Sequence, residues 1–206
     1  MNERDARAAI VEYGARLWNR HLVSGSSGNV SVRIDGGDLL VTPAGRSLGS
    51  LAAHDVVRVD ADGNPRDPAL RATSELPLHL AAYGVRSDVR CVVHTHPTFC
   101  VVWSLWGELF PKQTVGAAES LGPVAWTAFH PAGSRELAAV CAREFERGID
   151  IVLMERHGLS SVGTDLETAF VRTDQAEEAA RTAYFASLRA LNSGKNKGAS
   201  EIGGPL

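Results

Sequence analysis

One segment of seven residues constrains the fold more than any other part of the chain. It reads Cys91-Val92-Val93-His94-Thr95-His96-Pro97. Its β-branched residues favour a strand, and Pro97 ends that strand because proline lacks the N–H that a sheet needs. Side chains two residues apart on a strand leave the same face, so His94 and His96 can reach one ion. The segment therefore predicts a buried strand that carries two metal-binding side chains.

A third histidine and a carboxylate complete a candidate metal centre. His157 ends a second apolar strand and is followed by Gly158. Glu75 lies in the first turn of a predicted helix, where the helix dipole stabilises a carboxylate. Imidazole nitrogens suit zinc and other borderline divalent metals. We predict that His94, His96 and His157 bind such a metal, with Glu75 as fourth ligand or base. The alternative interpretation, a polar patch on a sheet surface, fits poorly with the apolar residues around the two strands.

The other histidines are given no role in this centre. His79 lies one helical turn after Glu75 and could support it, but a structural role is the preferred interpretation. His21, His54 and His130 fall in helix-end or loop segments and are interpreted as surface or loop residues.

Composition excludes several classes of protein. The chain has 206 residues, of which 22% are charged and 44% hydrophobic, with a formal net charge of −3. We expect no nucleic-acid or membrane partner, because there is no basic excess and every apolar run is too short to span a bilayer. The N-terminal residues lack the apolar core of a signal peptide. Three cysteines without a C-x-x-C pair indicate reduced thiols, so we expect a cytoplasmic protein.

Alternating helix and strand patterns predict a single α/β domain with a central, mostly antiparallel sheet flanked by helices. A hairpin is expected around Asp35-Gly36-Gly37-Asp38. A hydroxyl-capped helix is expected from about Thr73, and a capping box at Thr164 is expected to open a long helix. The domain is predicted to span residues 1–191, and the Gly-, Ser- and Lys-rich residues 192–206 are predicted to form a flexible tail.

Three turns rich in small residues predict an anion site. They are Gly28-Asn29, Ala44-Gly45 and Thr73-Ser74. Each offers backbone N–H groups, and two also offer side-chain donors, in arrangements that can surround a phosphate. Any one of them alone is better interpreted as an ordinary turn. Together they predict a substrate-binding site for a phosphorylated molecule.

Five segments in this order make the chain resemble the class II aldolase/adducin superfamily, and within it the L-fuculose-1-phosphate aldolase family. The resemblance extends from about residue 5 to about residue 190. The segments are Ser27-Gly28-Asn29-Val30-Ser31, Thr42-Pro43-Ala44-Gly45, Thr73-Ser74-Glu75, Val93-His94-Thr95-His96-Pro97 and Arg156-His157-Gly158-Leu159.

The resemblance implies a cofactor, a site and an assembly. It implies Zn²⁺, or another divalent metal such as Mn²⁺ or Co²⁺, on His94, His96 and His157. Glu75 would bind the metal at rest and act as acid or base when substrate displaces it. The three turns would hold the phosphate of a small sugar phosphate. The assembly would be a homotetramer with active sites at subunit boundaries.

The implied reaction is cleavage of a C–C bond in a small phosphorylated ketose by retro-aldol chemistry through a metal-stabilised enediolate. A decarboxylase of a phosphorylated 3-oxo sugar acid, or a dehydratase or epimerase acting on a sugar phosphate, needs a similar intermediate. A non-catalytic, adducin-like assembly module is the least favoured alternative. It predicts loss of the metal ligands, and all four are present.

The chain departs from the aldolase pattern at one point. That pattern has a tyrosine acid after the H-x-H helix, whereas residues 112–119 read Lys-Gln-Thr-Val-Gly-Ala-Ala-Glu. No tyrosine follows Leu191 either. Glu119 or a bound water is the alternative acid. The segment Thr42 to Gly49 also resembles the decarboxylase branch, in which Arg46 could meet a carboxylate. The substrate and the reaction branch therefore stay open at this point.

Overall fold

The computed structural model describes residues 1–192, with only the backbone given for Ser120 and residues 190–192. The predicted tail lies outside the described residues from position 193 onward. The helices are α1 (Glu3–Asn19), α2 (Leu76–Val85), α3 (Thr98–Leu105), α4 (Val115–Ser120), α5 (Arg135–Glu146) and α6 (Leu166–Asn192). The strands are β1 (Asn29–Arg33), β2 (Leu39–Val41), β3 (Val57–Val59), β4 (Cys91–Thr95), β5 (Val124–Thr127), β6 (Ile151–Met154) and β7 (Gly158–Gly163).

Within these residues the seven strands form one sheet in the order β3-β2-β1-β4-β7-β6-β5. Neighbouring strands are antiparallel except β5 and β6, which are parallel and are joined through α5. The predicted α/β class with a mostly antiparallel sheet is therefore confirmed. The predicted hairpin is also confirmed, since β1 pairs with β2 across a turn in which Gly36 and Gly37 have φ values of 90° and 94°.

Helices cover both faces of the sheet because successive strand residues point to opposite sides. On β4, Val93 packs in a cluster with residues of α1 and α6 such as Ile10 and Ala169. Its neighbour Val92 packs in a second cluster with residues of α2 and α5. The parity of the strand places His94 on the same face as Val92, which is the side of α2. None of the described helices combines the length and apolar character needed to cross a bilayer.

Two helix starts differ from the sequence-based expectation. Helix α2 begins at Leu76 rather than Thr73, and its N-cap residue Glu75 makes no capping hydrogen bond through its side chain. The Thr73 hydroxyl accepts a hydrogen bond from the N–H of Glu75 at 3.3 Å, so the predicted hydroxyl contact exists, but it lies in the turn before the helix rather than at the N-cap. At α6 the carboxylate of Asp165, rather than the hydroxyl of Thr164, accepts a hydrogen bond from the N–H of Thr168 at 2.7 Å.

Candidate metal centre

Three histidines meet where β4 ends. His94 lies on β4 and His96 lies just beyond its last residue. His157 lies in the turn between β6 and β7, and β7 pairs with β4 through the register Thr95↔Leu159. The pairing brings that turn beside the end of β4. Nitrogen atoms of the three rings lie within 4.8 Å of one another, close enough to hold one metal ion.

The backbone fixes the proton on His94. The Nδ1 atom of His94 lies 3.1 Å from the carbonyl oxygen of Leu159. A carbonyl can only accept, so Nδ1 donates, and in a neutral ring the lone pair is then on Nε2. This Nε2 faces Nε2 of His96 at 3.0 Å. A ligand held in one tautomer by a backbone carbonyl is the usual arrangement for a metal-binding histidine.

Glu75 approaches the histidines from the start of α2. Its Oε1 lies 3.9 Å from Nε2 of His157, and the residue is buried. Among the described residues, Glu75 Oε2 and His157 Nδ1 are both buried without a hydrogen-bond partner. Leaving such atoms unpaired is costly, and a bound cation would satisfy the carboxylate. The donor set of three imidazoles and one carboxylate fits a divalent metal.

Burial keeps the histidines neutral. It is the main cause that holds the pKa of His94 well below its ordinary value, and the neighbouring His96 and His157 act in the same direction. Burial also lowers the pKa of His96, and it lowers that of His157 to about 4 with a further contribution from His96. Neutral imidazole is the form that binds metal, so these rings can take up a cation at neutral pH without first losing protons.

The same burial acts on Glu75 in the opposite sense. It raises the pKa of the Glu75 carboxyl, and a backbone hydrogen bond from Gly133 partly offsets that rise. A buried carboxylate with a raised pKa is a stronger base than an exposed one, as a group that exchanges protons with a substrate requires.

The close approach of β4 explains why a glycine, Gly158, follows His157. A Cβ atom at this position would lie 2.2 Å from the carbonyl oxygen of Thr95 and 2.8 Å from Cδ2 of His96. Only a hydrogen fits between the two strands here. Arg156 takes up the reversal of the chain with a φ of 57°, which is uncommon for a residue with a side chain.

The three predicted anion turns open into one cleft with the histidines. Asn29 pairs with His94 across β1 and β4, which places the first turn beside the metal centre. The N–H of Thr73 donates to the carbonyl of Thr42, and that of Ala44 donates to the carbonyl of Arg71, which joins the second and third turns. The cleft has a volume of about 150 Å³. Its lining includes Gly28, Asn29, Ala44, Gly45, Thr73, Ser74, Glu75, His94, His96 and His157.

Other predicted candidates lie away from this cleft. The chain's three tyrosines are placed elsewhere: Tyr13 bonds Glu167, Tyr83 is buried under β1, and Tyr184 packs against Phe99. Arg46 pairs with Asp55 at 3.4 Å and does not line the cleft. Glu119 is exposed on α4 and does not line it either.

The contact that the sequence analysis missed is made by His79. This residue is fully buried, and its Nε2 lies 2.5 Å from Oδ1 of the cleft residue Asn29. Its Nδ1 lies 2.7 Å from Oγ of Ser31. The available signal was the spacing, because Asn29 and Ser31 share one face of a strand and His79 and Tyr83 share one face of a helix.

Comparison with known proteins agrees with this geometry. The sequence profile of the class II aldolase and adducin N-terminal domain matches residues 8–184. An L-fuculose phosphate aldolase of Methanococcus maripaludis is 34% identical over 169 residues, which cover 82% of this chain and 91% of the relative. A 3-oxo-tetronate 4-phosphate decarboxylase of Haemophilus influenzae is 27% identical over 186 residues, 88% of each chain. The crystal structure of YgbL from Klebsiella pneumoniae is similar with a TM-score of 0.83 and 26% identity, over 98% of both chains.

Proposed function

Because the chain belongs to the class II aldolase and adducin family, we propose that it is a metal-dependent lyase that cleaves a C–C bond of a small phosphorylated ketose by retro-aldol chemistry. The observation that carries the proposal is one cleft that holds three neutral histidines, a buried carboxylate and three turns rich in N–H groups. Such a cleft can bind an anionic sugar phosphate at one end and a metal at the other.

His94, His96, His157 and Glu75 would hold the metal. Three imidazoles and one carboxylate favour Zn²⁺, with Mn²⁺ or Co²⁺ as alternatives. When bound, a divalent cation supplies Lewis-acid stabilisation of the negative charge that develops on oxygen as the C–C bond breaks.

Glu75 is the group that we assign to proton exchange. Retro-aldol cleavage removes a proton from a hydroxyl of the departing fragment and returns one to the carbon left behind. Glu75 lines the cleft, is buried, and has a pKa raised by that burial. A carboxylate in this environment can accept a proton and return it without competition from bulk water.

The three turns would bind the substrate's phosphate. Glycine at positions 28 and 45, with φ values of 78° and 71°, turns the chain so that backbone N–H groups can face the cleft. Asn29, Thr73 and Ser74 add side-chain donors. Charge-assisted hydrogen bonds of this kind hold phosphate and fix the register of the sugar.

Decarboxylation of a phosphorylated 3-oxo sugar acid is the second candidate function. The observation that favours it is the position of the tyrosines, since within one subunit all three lie outside the cleft. The similarity to a 3-oxo-tetronate 4-phosphate decarboxylase supports the same alternative. Dehydration or epimerisation of a sugar phosphate would use the same cleft. A non-catalytic assembly module is disfavoured, because it has no need for the four polar residues of the metal centre.

Product analysis tests these functions directly. The full chain, loaded with Zn²⁺ or Mn²⁺, is incubated with a panel of ketose 1-phosphates and 3-oxo acid phosphates. We expect an aldehyde and a shorter ketone phosphate from the first class, and no product after removal of metal with a chelator. Release of CO₂ from the second class alone would replace the aldolase proposal with the decarboxylase. Turnover of neither class would contradict both.

We also propose that residues 1–191 form one catalytic domain, which assembles as a cytoplasmic homotetramer with active sites at subunit boundaries. Exposed apolar side chains on neighbouring elements support an assembly, since Leu105, Trp106 and Phe185 are 55%, 51% and 54% exposed. Three buried, unpaired cysteines support a reducing compartment. Light scattering of the purified chain measures the oligomeric state, and a monomeric mass would contradict the assembly.

A further inference from the structure

A buried polar chain leads from the core of the protein to the cleft. Its members are Asn29 and Ser31 on β1 and His79 and Tyr83 on α2, joined by contacts of 2.5, 2.7 and 2.8 Å. His79 and Ser31 are fully buried. None of the four belongs to the group of histidines that can hold a metal. Buried polar groups are costly unless each one is satisfied, so the direction of each hydrogen bond matters.

The donor and acceptor groups of these four residues determine the direction of each hydrogen bond between them. The Oδ1 atom of Asn29 is only an acceptor, so Nε2 of His79 donates to it. Burial lowers the pKa of His79 to about 3, so the ring is neutral and its Nδ1 is an acceptor. The hydroxyl of Ser31 therefore donates to Nδ1, and its oxygen accepts from the hydroxyl of Tyr83. In this arrangement the ring N–H of His79 and the hydroxyls of Ser31 and Tyr83 each donate one hydrogen bond.

The opposite direction leaves one hydroxyl poorly paired. If Asn29 turned its amide nitrogen toward His79, each later hydrogen bond would reverse, and the Tyr83 hydroxyl would have to donate elsewhere. The acceptor available to it in the described structure is the carbonyl of Arg90, at 3.5 Å. That distance is well beyond the usual 2.5–3.0 Å of an O–H···O bond. The 2.8 Å contact from Tyr83 to Ser31 therefore favours the first direction.

We infer that His79 is a positioning residue that, with Ser31 and Tyr83, holds the Asn29 amide with its N–H groups toward the cleft and so selects an anionic phosphate over a neutral hydroxyl at that end of the substrate. This selection rests on the phosphate site of the proposed function. In the opposite orientation Asn29 would present its carbonyl oxygen to the cleft and would repel an anion. Asn29 lines the cleft, and Oδ1 is the atom of its amide that faces His79.

The orientation is tested in the unliganded full chain by NMR. Long-range ¹H–¹⁵N spectra of histidine-labelled protein report which ring nitrogen carries the proton, and loss of one set of signals in His79→Gln assigns His79. We expect the proton on Nε2. A proton on Nδ1 would overturn the inference, whatever the protein's activity.

The effect on the anion is tested by the affinity for inorganic phosphate. His79→Leu removes the donor to Asn29 and should weaken phosphate binding about tenfold to a hundredfold, the effect of one charge-assisted hydrogen bond. His79→Gln offers a donor and an acceptor again, so it should recover most of the affinity. The matched control is Thr173→Val on α6, which removes a buried hydrogen bond to Ser161 of β7, away from the cleft. It should lower stability without changing phosphate affinity.

A double-mutant cycle separates positioning from a general structural effect. Because His79 acts through Asn29, the combination of His79→Leu with Asn29→Leu should weaken phosphate binding no more than Asn29→Leu alone. Additive losses in folded variants would overturn the inference, as would unchanged phosphate affinity in His79→Leu. If wild-type protein binds no phosphate although His79 carries its proton on Nε2, the phosphate site of the proposed function and the selection built on it fall, and the orientation of Asn29 stands.

Discussion

At the scale of single residues, the two histidines of the H-x-H pair are held differently. His94 is fully buried, and its Nδ1 is tied to the carbonyl of Leu159. His96 lies past the end of the strand and is half-buried, with its ring held against His94. Truncation of His94 would therefore open a cavity in the sheet, whereas truncation of His96 removes a candidate metal-binding atom with less damage to the core.

The first prediction concerns His96. His96→Ala should lower metal affinity by at least tenfold and abolish most activity, while the unfolding free energy of the metal-free protein changes little. Metal content after dialysis, measured by mass spectrometry, checks this. His54→Ala is the control, because the His54 side chain is 86% exposed and does not line the cleft. A full equivalent of metal in His96→Ala would remove His96 from the ligand set.

The second prediction concerns Glu75. Glu75→Gln keeps the three histidines and the shape of the side chain, and no capping bond of α2 depends on the carboxylate. The variant should still bind metal through the histidines, and turnover should fall by roughly 10²–10⁴-fold because the proton-exchanging group is lost. Steady-state rates with metal content measured on the same samples check it. Glu119→Gln, on the exposed surface of α4, is the control. An active Glu75→Gln variant would mean that another group exchanges the proton.

At the scale of elements, the centre depends on how closely β4 and β7 approach. The register Thr95↔Leu159 places His96, just after β4, beside His157, just before β7. Gly158 lies at their point of contact, where a Cβ atom would come within 2.2 Å of the Thr95 carbonyl. The spacing of the two strands, rather than a flexible side chain, therefore sets the distance between these two histidines.

The third prediction follows from that contact. Gly158→Ala should force the strand ends apart, lower the unfolding free energy by about 1–3 kcal/mol and weaken metal binding. Denaturant unfolding and metal titration on one preparation measure both effects. Gly116→Ala on α4 is matched to it, because a Cβ there would meet nothing within 4 Å. Unchanged metal affinity in Gly158→Ala would show that the strand spacing is not what holds the histidines.

Sequence reasoning succeeded where a residue type has few structural explanations. Two histidines on an apolar strand and glycine at a strand end suggest one arrangement, and the fold brings the predicted residues into one cleft. It did not identify β7, because Ser160 and Ser161 look like loop residues. In the fold both are fully buried, and Ser161 bonds the Ala169 carbonyl and Thr173. It gave His79 no role, since the partners of that residue come from a strand fifty positions away and depend on tertiary packing.

At the scale of the whole molecule, buried neutral histidines make stability depend on pH. In the folded protein the pKa of His79 falls to about 3 and that of His157 to about 4. In an unfolded chain the pKa of a histidine side chain is about 6.5. Below pH 6.5 the unfolded state therefore binds more protons, and the unfolding free energy falls as pH falls toward these values. The raised pKa of Glu75 acts with the opposite sign and offsets part of this slope.

The fourth prediction tests this slope in metal-free protein. Between pH 6.5 and pH 4 the unfolding free energy of the wild type should fall. That of His79→Gln should fall less steeply, and the two slopes should differ by up to about 1.4 kcal/mol per pH unit. Urea unfolding at several pH values with chelator present gives both curves. His54→Gln serves as the exposed control and should follow the wild type. Identical slopes for wild type and His79→Gln would contradict the assignment of His79 as a neutral buried ring.

The position of β7 in the sheet determines what an incomplete chain lacks. This strand lies between β4 and β6 although it is the last of the described strands to be synthesised. A nascent chain that has reached Met154 carries two of the three histidines and a β4 edge with no neighbour on one side. It can neither close the metal centre nor cover that edge, and an open edge invites pairing with other chains. A chain that stops before His157 therefore lacks the third histidine of the candidate metal centre and leaves one edge of β4 uncovered.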